Sequence, residues 1–155
     1  MSGNGTTARP VILLIHGANL NLLGQREPHI YGSSTLADYV AAVRRVAEHH
    51  GLDVDDFQSN HEGEIIDRIH AARGRASAIL INPGAFTHYA WSIHDALAAF
   101  DGPIVEVHIS NPNAREAWRH TSVVSPVATG TIAGLGLQGY ELAVEALAKR
   151  IQTPA

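Results

Sequence analysis

Apolar and polar positions alternate along the chain in blocks that change period. Residues 11–16 (VILLIH) are continuously apolar up to Gly17, too short a run for a helix, and predict a strand buried on both faces. Residues 17–34 form a long connection rich in Asn, Gly and Pro, and loops of such length inside a domain usually carry function. A helix is predicted next. Thr35 caps it with Asp38 three residues on, Leu36, Tyr39, Val40, Val43 and Ala47 share one apolar face, and His49, His50 and Gly51 end it. A weaker strand follows at 52–58, then a helix at 62–72 with Ile65, Ile66 and Ile69 on one side. A buried strand at 77–81 stops at Asn82-Pro83-Gly84, and Thr87 is placed to cap a helix over 89–100. Asp101-Gly102-Pro103 breaks that helix before a fourth strand at 104–109. A short helix at 114–118, a last strand at 127–133 and a closing helix at 140–151 complete the reading.

Strands and helices thus alternate five times, the pattern of a parallel sheet with helices on both faces. The expected fold is α/β: a single flavodoxin-like domain with a five-stranded parallel sheet, since five strands fit that sheet better than a six-stranded dinucleotide-binding one. Residues 1–10 are rich in Gly, Ser and Thr and read as a flexible tail rather than a signal peptide, with one catalytic domain at 11–152 and cytoplasm as the default location.

Composition narrows the chemistry. With 155 residues, 45% hydrophobic and 17% charged, the chain suits one globular domain, and no apolar run is long enough to span a membrane. A net charge of −4 speaks against general nucleic-acid binding. The chain has no Cys, so thiol nucleophiles and thiolate metal sites are out, and Lys149 is its single lysine, which leaves little room for Schiff-base chemistry. The ten His are numerous, yet no HExxH or aspartate cluster appears, so no metal site is expected. His49, His50, His61 and His70 read as solvent-facing, and His16 and His94 as satisfied, partly buried groups.

Ligands of open parallel sheets bind beyond the C-terminal strand ends. Asn19, Arg26 and Tyr31 follow the first strand, Asn82 and His88 the third, and Ser110, Arg115 and Arg119 the fourth, which itself holds Glu106 and His108. The last two share a strand face, being two apart. A Glu inside an apolar strand needs a partner, and one bonded to His108 would favour an imidazolium suited to general acid work; a structural ion pair is the alternative. Tyr31 is either an anchor for its loop or a base, and a base needs a cation such as Arg26 because an ordinary phenol titrates near 10. Arg115 and Arg119, four apart, would share a helical face, as a solvated surface or as an anion clamp. The G-x-G-x-x-G at 134–139 lies too near the chain end for a second strand with its acidic residue, and reads as a tight turn that permits close helix–strand packing.

Taken together, GANLNLLGQREPHIYG (17–32), QSNHEGEIID (58–67), INPGAFTHYAWSIHDAL (81–97), VEVHISNPNAREAWR (105–119) and GLGLQGY (134–140) resemble the type II 3-dehydroquinate dehydratases, the type II dehydroquinases of the shikimate pathway. The chain departs from the family with His16 and Ala18 where Asn and Pro are usual, and with His120-Thr121 where the run is usually more basic.

The resemblance implies a cofactor-free lyase that dehydrates 3-dehydroquinate to 3-dehydroshikimate through an enolate, in aromatic amino acid biosynthesis or in quinate catabolism. It implies Tyr31 as the base at C2, Arg26 in a lid as its activating cation, and Asn19 as stabiliser of the enolate through a bound water. His108 would protonate the departing C1 hydroxyl, oriented by Glu106. Asn82, His88, the backbone of Ile109 and Ser110, and Arg119 would hold the carboxylate and hydroxyls, with Arg115 near the lid. Asp95 would reach a neighbouring subunit's site in a homododecamer of trimers. No metal, organic cofactor, nucleic acid or membrane partner is implied. A non-catalytic flavodoxin-like domain would not need this set of strand-end groups, and a metal hydrolase would predict sensitivity to a chelator.

Overall fold

Strand β1 (Val11–His16), buried from Ile12 onward, lies inside the sheet between β2 (Asp53–Gln58) and β3 (Ala78–Asn82). The computed structural model describes residues 8–152. β4 (Ile104–His108) and β5 (Gly130–Ala133) complete an all-parallel sheet in the order β2-β1-β3-β4-β5. Alternate residues of the strands feed two cores, as a period of two demands. Ile12, Leu14 and Leu80 pack with Tyr39, Val43, Tyr140, Val144 and Leu147 from α2 (Leu36–His49) and α5 (Gly136–Gln152). Leu13, Ile15, Ile79 and Ile81 pack with Ile65, Ile69, Ile93 and Leu97 from α3 (Glu62–Ala72) and α4 (Trp91–Ala98). Each such side chain contributes about 1.5–3 kcal/mol on burial. The α/β reading with five parallel strands and helices on both faces holds.

β2 read as the weaker strand because it is the edge. Its Asp53, Asp55 and Asp56 are exposed, and Arg68 and Arg44 from the two faces pair with Asp55 at 2.6 Å and Asp56 at 2.5 Å. Such surface pairs are worth little energetically, but charge on an edge discourages unwanted strand pairing.

The first seven residues of the expected tail lie outside the described residues. At its end, Arg9 pairs with Glu48 at 2.9 Å, and the Pro10 carbonyl accepts from the Asp53 N–H. α2 carries the expected capping box of Thr35 and Asp38, and α3 occupies the expected range. His49, His61 and His70 are exposed as expected; His50 is half-buried, 2.7 Å from Glu145.

Four local expectations need correction. The helix predicted over 89–100 begins at Trp91, and residues 84–88 before it form a 3-10 turn, so Thr87 is no cap. Ala114–Trp118 is not a helix: Pro112–Ala114 and Ala117–His120 are separate 3-10 turns, divided by extended backbone at Arg115, and Arg115 and Arg119 therefore share no helical face. β5 starts at Gly130, after a 3-10 turn at Ser125–Val127 that holds Pro126 in its first turn. The closing helix begins at Gly136, four residues early. Gly134 and Gly136 there have φ of 87° and 56°, a region glycine enters without cost. A Cβ on Gly139 would lie 3.3 Å from Ile132 Cγ2, which accounts for the glycine run by close helix–strand packing, as expected.

The sheet's direction of growth reverses between β1 and β3, so a crevice opens at their C-terminal ends. The turns that leave these two strands are in contact. Gly17 N–H donates to the Asn82 carbonyl at 2.8 Å, and a Cβ on Gly17 would fall 1.9 Å from the Pro83 oxygen. Residue 17 must be glycine for the crevice to keep this shape.

Candidate active site

The crevice is a cleft enclosing about 570 Å³ of empty space up to its open mouth. Ten of the residues expected at the site line it: Asn19, Arg26, Tyr31, Asn82, His88, His108, Ile109, Ser110, Arg115 and Arg119. Glu106 stands behind His108. Asp95 is exposed on α4 and does not line the cleft of its own chain.

The wall is built by β4. Glu106 is 0% exposed, a costly burial unless every lone pair is met. His108 Nε2 donates to Oε2 at 2.5 Å, Thr87 Oγ1 donates at 2.5 Å, and Ser125 Oγ donates to Oε1 at 2.7 Å. Ser122 Oγ lies 2.9 and 3.0 Å from the two carboxylate oxygens. Burial pushes the Glu106 carboxyl up, but His108 and the hydroxyls of Thr87 and Ser125 outweigh it and hold the carboxyl below its ordinary range. The charged carboxylate fixes a proton on His108 Nε2 and leaves Nδ1 for the cleft. The carboxylate–imidazole pairing expected from the spacing is present. Thr87, Ser122 and Ser125 were missed as its supports; the signal was the Glu itself, which demands donors without saying where they come from.

The mouth is built by the loop after β1, which is more ordered than its composition suggests. Leu20 and Leu23 are buried and pin it, a 3-10 turn covers Leu20–Leu22, and the one-turn helix α1 (Pro28–Tyr31) ends on Tyr31. Arg115 Nη1 donates to Tyr31 Oη at 2.9 Å and to Ser110 Oγ at 3.2 Å. Arg26 has its guanidinium carbon 5.4 Å from the Tyr31 ring centroid and lies 3.6 Å from Glu27. The cation on the phenol oxygen is thus Arg115, which the resemblance put near the lid, while Arg26 covers the ring. Asn19 takes a left-handed φ of 68°, which Asn tolerates better than most residues. Its N–H donates to Asn60 Oδ1 at 2.9 Å, and Gln58 Nε2 donates to that same oxygen at 3.2 Å.

The floor and far side carry the remaining polar groups. Asn82 is 3% exposed; its Oδ1 accepts from Gly84 N–H and its Nδ2 donates to Tyr140 Oη at 2.9 Å. His88 Nδ1 donates to the Thr121 carbonyl at 2.7 Å, which leaves Nε2 without that proton. Burial lowers the His88 imidazole, against the opposing pull of Thr121, so it meets the cleft as a neutral acceptor. The Arg119 guanidinium lies 4.0 Å from the Trp118 ring centroid and donates to Glu116 at 2.6 Å. Among the described residues no cluster of three or more His, Asp or Glu side chains is placed to hold a metal ion, and no helix is long and apolar enough to cross a membrane.

One cleft therefore presents a phenol beside two guanidiniums, an imidazole on a buried carboxylate, and neutral and cationic hydrogen-bonding groups. That set can move protons at two positions of a small oxygen-rich anion.

Comparison with known proteins agrees. The family model described as dehydroquinase class II matches residues 10–148. The catabolic 3-dehydroquinase of Penicillium rubens is 57% identical over 134 residues, 86% of this chain and 86% of that protein. The 3-dehydroquinate dehydratase 1 of Corynebacterium efficiens is 58% identical over 137 residues, 88% of this chain and 91% of the relative. The crystal structure of the type II dehydroquinase from Propionibacterium acnes superposes with a TM-score of 0.87 at 46% identity, covering 92% of this chain and 99% of that one. With its fold, its strand-end cleft and these likenesses in agreement, the chain belongs to the class II dehydroquinase family.

Proposed function

We propose that this chain is a hydro-lyase that eliminates water from 3-dehydroquinate to give 3-dehydroshikimate through an enolate. The observation that carries the reading is the pairing, across one cleft, of Tyr31 beside Arg115 and Arg26 with His108 on Glu106. Tyr31 as phenolate takes the proton from C2, and the C2–H electron pair moves into the enolate at C3. Arg115 and Arg26 stabilise the phenolate before it accepts that proton. Asn19 stabilises the enolate oxygen. The enolate then collapses to the C1–C2 double bond as the C1–O bond breaks, and His108 supplies the proton with which the hydroxyl leaves as water. Each turnover leaves Tyr31 one proton richer and His108 one poorer, and exchange with solvent resets both. Asn82, His88, the backbone of Ile109 and Ser110, and Arg119 hold the carboxylate and hydroxyls.

The finer parts of the proposal are the assembly and the setting. The site is completed by Asp95 of a neighbouring subunit in a homododecamer of trimers; exposure of Asp95 away from its own cleft supports this. The catalytic unit is residues 11–152, and the enzyme is cytoplasmic. Both biosynthetic and quinate-degrading roles fit the chemistry. A fully active species of about 16.6 kDa in light scattering would refute the assembly, and cell fractionation tests the location.

The direct test is absorbance of the conjugated enone formed from 3-dehydroquinate. Turnover supports the reading, and its absence in well-folded protein leaves a non-catalytic binding domain. Activity should survive both a chelator and borohydride with substrate. The single lysine, Lys149, is exposed on α5 and outside the cleft, so no Schiff base is available to trap.

A further inference from the structure

Beneath the floor of the cleft runs a buried line of hydrogen bonds of which the mechanism above uses only Asn82. It begins at the Gly84 N–H, which donates to Asn82 Oδ1 at 3.1 Å. A backbone N–H can only donate, so this contact fixes which end of the amide is oxygen. Asn82 Nδ2 therefore faces Tyr140 and donates to Oη at 2.9 Å. Tyr140 Oη is 3.1 Å from His16 Nε2 on its other side. Among the described residues His16 Nε2 is the one remaining partner of this hydroxyl, so the buried O–H is met only by donating to Nε2 as the unprotonated ring nitrogen. The backbone donor fixes the direction from Gly84 through Asn82 to Tyr140, and the need to satisfy the buried O–H carries it on to His16.

Packing holds the line in place. Tyr140, His16 and Asn82 are 0%, 1% and 3% exposed, so bulk water does not compete for these bonds. The His16 and Tyr140 rings stack with centroids 5.6 Å apart and planes 10° apart, and Tyr39 tilts against Tyr140 at 4.9 Å. Burial lowers the His16 imidazole to about 4, in keeping with a neutral ring. Asn82 has two amide protons, and one is spent on Tyr140. The second is left for an oxygen in the cleft.

We propose that His16 is a positioning residue: acting through Tyr140, its Nε2 lone pair sets the hydrogen-bond polarity that aims one Asn82 N–H at a substrate oxygen. The effect on substrate rests on the reading of Asn82 as a substrate contact; the polarity of the line does not. With Nε2 protonated or absent, Tyr140 loses its acceptor and a buried O–H is left unmet, which disturbs the amide it supports.

The test uses the full chain. His16→Phe removes the acceptor and keeps a ring, Tyr140→Phe removes the hydroxyl, and His16→Gln places an amide oxygen where Nε2 stood. His16→Phe and Tyr140→Phe are expected to raise KM for 3-dehydroquinate about tenfold, the effect of about one hydrogen bond, with kcat changed far less. His16→Gln should recover most of the loss. Unchanged KM in His16→Phe, or no recovery in His16→Gln when both fold as wild type, would overturn the proposal. Nitrogen NMR of the ligand-free wild-type protein tests it without activity or folding of variants: the His16 ring should carry its proton on Nδ1, and an Nε2-protonated ring or an imidazolium at neutral pH would overturn it. Should wild type fail to turn over 3-dehydroquinate, the proposed function falls, and the NMR result still decides the line's polarity.

Discussion

His108 stands at the end of a central strand with its side chain 12% exposed and Nε2 locked on a carboxylate that three hydroxyls also hold. Tyr31 stands at the end of a one-turn helix in an 18-residue connection, half-buried, with Arg115 on its oxygen and Arg26 beside its ring. His108, the proposed acid, is therefore fixed by the core of the fold, and its geometry is as stable as the sheet. Tyr31, the proposed base, is held by two loops, and its environment depends on how they pack. Loops are the less stable parts of most folds, so rigidity falls to the wall and adjustability to the mouth.

The largest expected effect comes from removing either proton-transfer group. His108→Ala and Tyr31→Phe should each lower kcat by about a hundred- to ten-thousandfold, measured by enone absorbance. A smaller loss from Tyr31→Phe than from surface variants would mean that the tyrosine merely anchors its loop.

Removal of the cations sharpens the picture of the mouth. A unit charge about 5 Å away at an effective dielectric of 20 stabilises a phenolate by up to about 3 kcal/mol, with solvent screening reducing this for the partly exposed Arg26. Arg26→Ala and Arg115→Ala should each lower kcat by up to about a hundredfold and change KM little. Two charges acting on one phenolate add in energy, so the double variant should lose about the product of the two. A loss in Arg26→Ala no larger than in surface variants would separate Arg26 from Tyr31.

For the wall, the expected cost falls on stability as well as rate. Glu106→Gln turns an acceptor into a donor among His108, Thr87, Ser122 and Ser125, and should destabilise the fold by about 3 kcal/mol in chemical denaturation. Tyr31→Phe, at the mouth, should stay within about 1 kcal/mol of wild type. Equal destabilisation by the two would erase the contrast between wall and mouth.

Acid should find the buried groups in sequence. His16 titrates at about 4 when folded against 6.5 when free. The unfolded chain therefore takes up this proton first, and stability falls as pH drops from about 6.5 to about 4, by roughly 3 kcal/mol in all. The Glu106 carboxyl is held below its ordinary value of 4.5. Its contribution is present above that value and is lost as pH falls further through its folded value. His16→Gln should flatten the upper part of this profile and leave the lower part. An unchanged slope would exclude His16 as the group responsible.

What could be read from the sequence follows the same division. The Thr35–Asp38 capping box and the limits of α3 are local, set by residues three or four apart, and both were legible. So was the shared face of Glu106 and His108, because a strand repeats every two residues. The donors around Glu106 lie 16 and 19 positions away on separate turns, and the Arg115–Tyr31 bond spans 84 positions; no periodicity encodes such contacts. Residues 114–118, which straddle the turns at 112–114 and 117–120, read as a short helix because a 3-10 turn lacks a pattern of its own at that length. His16 read as a satisfied, partly buried group; it is 1% exposed, and its partner Tyr140 is 124 positions away.

Isotope exchange separates the proposed work of Tyr31 at C2 from that of His108 at the leaving hydroxyl. Each variant is incubated with 3-dehydroquinate in deuterium oxide and the recovered substrate is examined by NMR. His108→Ala should incorporate deuterium at C2 while eliminating little water, and Tyr31→Phe should do neither. Exchange lost in His108→Ala but retained in Tyr31→Phe would contradict this assignment and reverse the two roles.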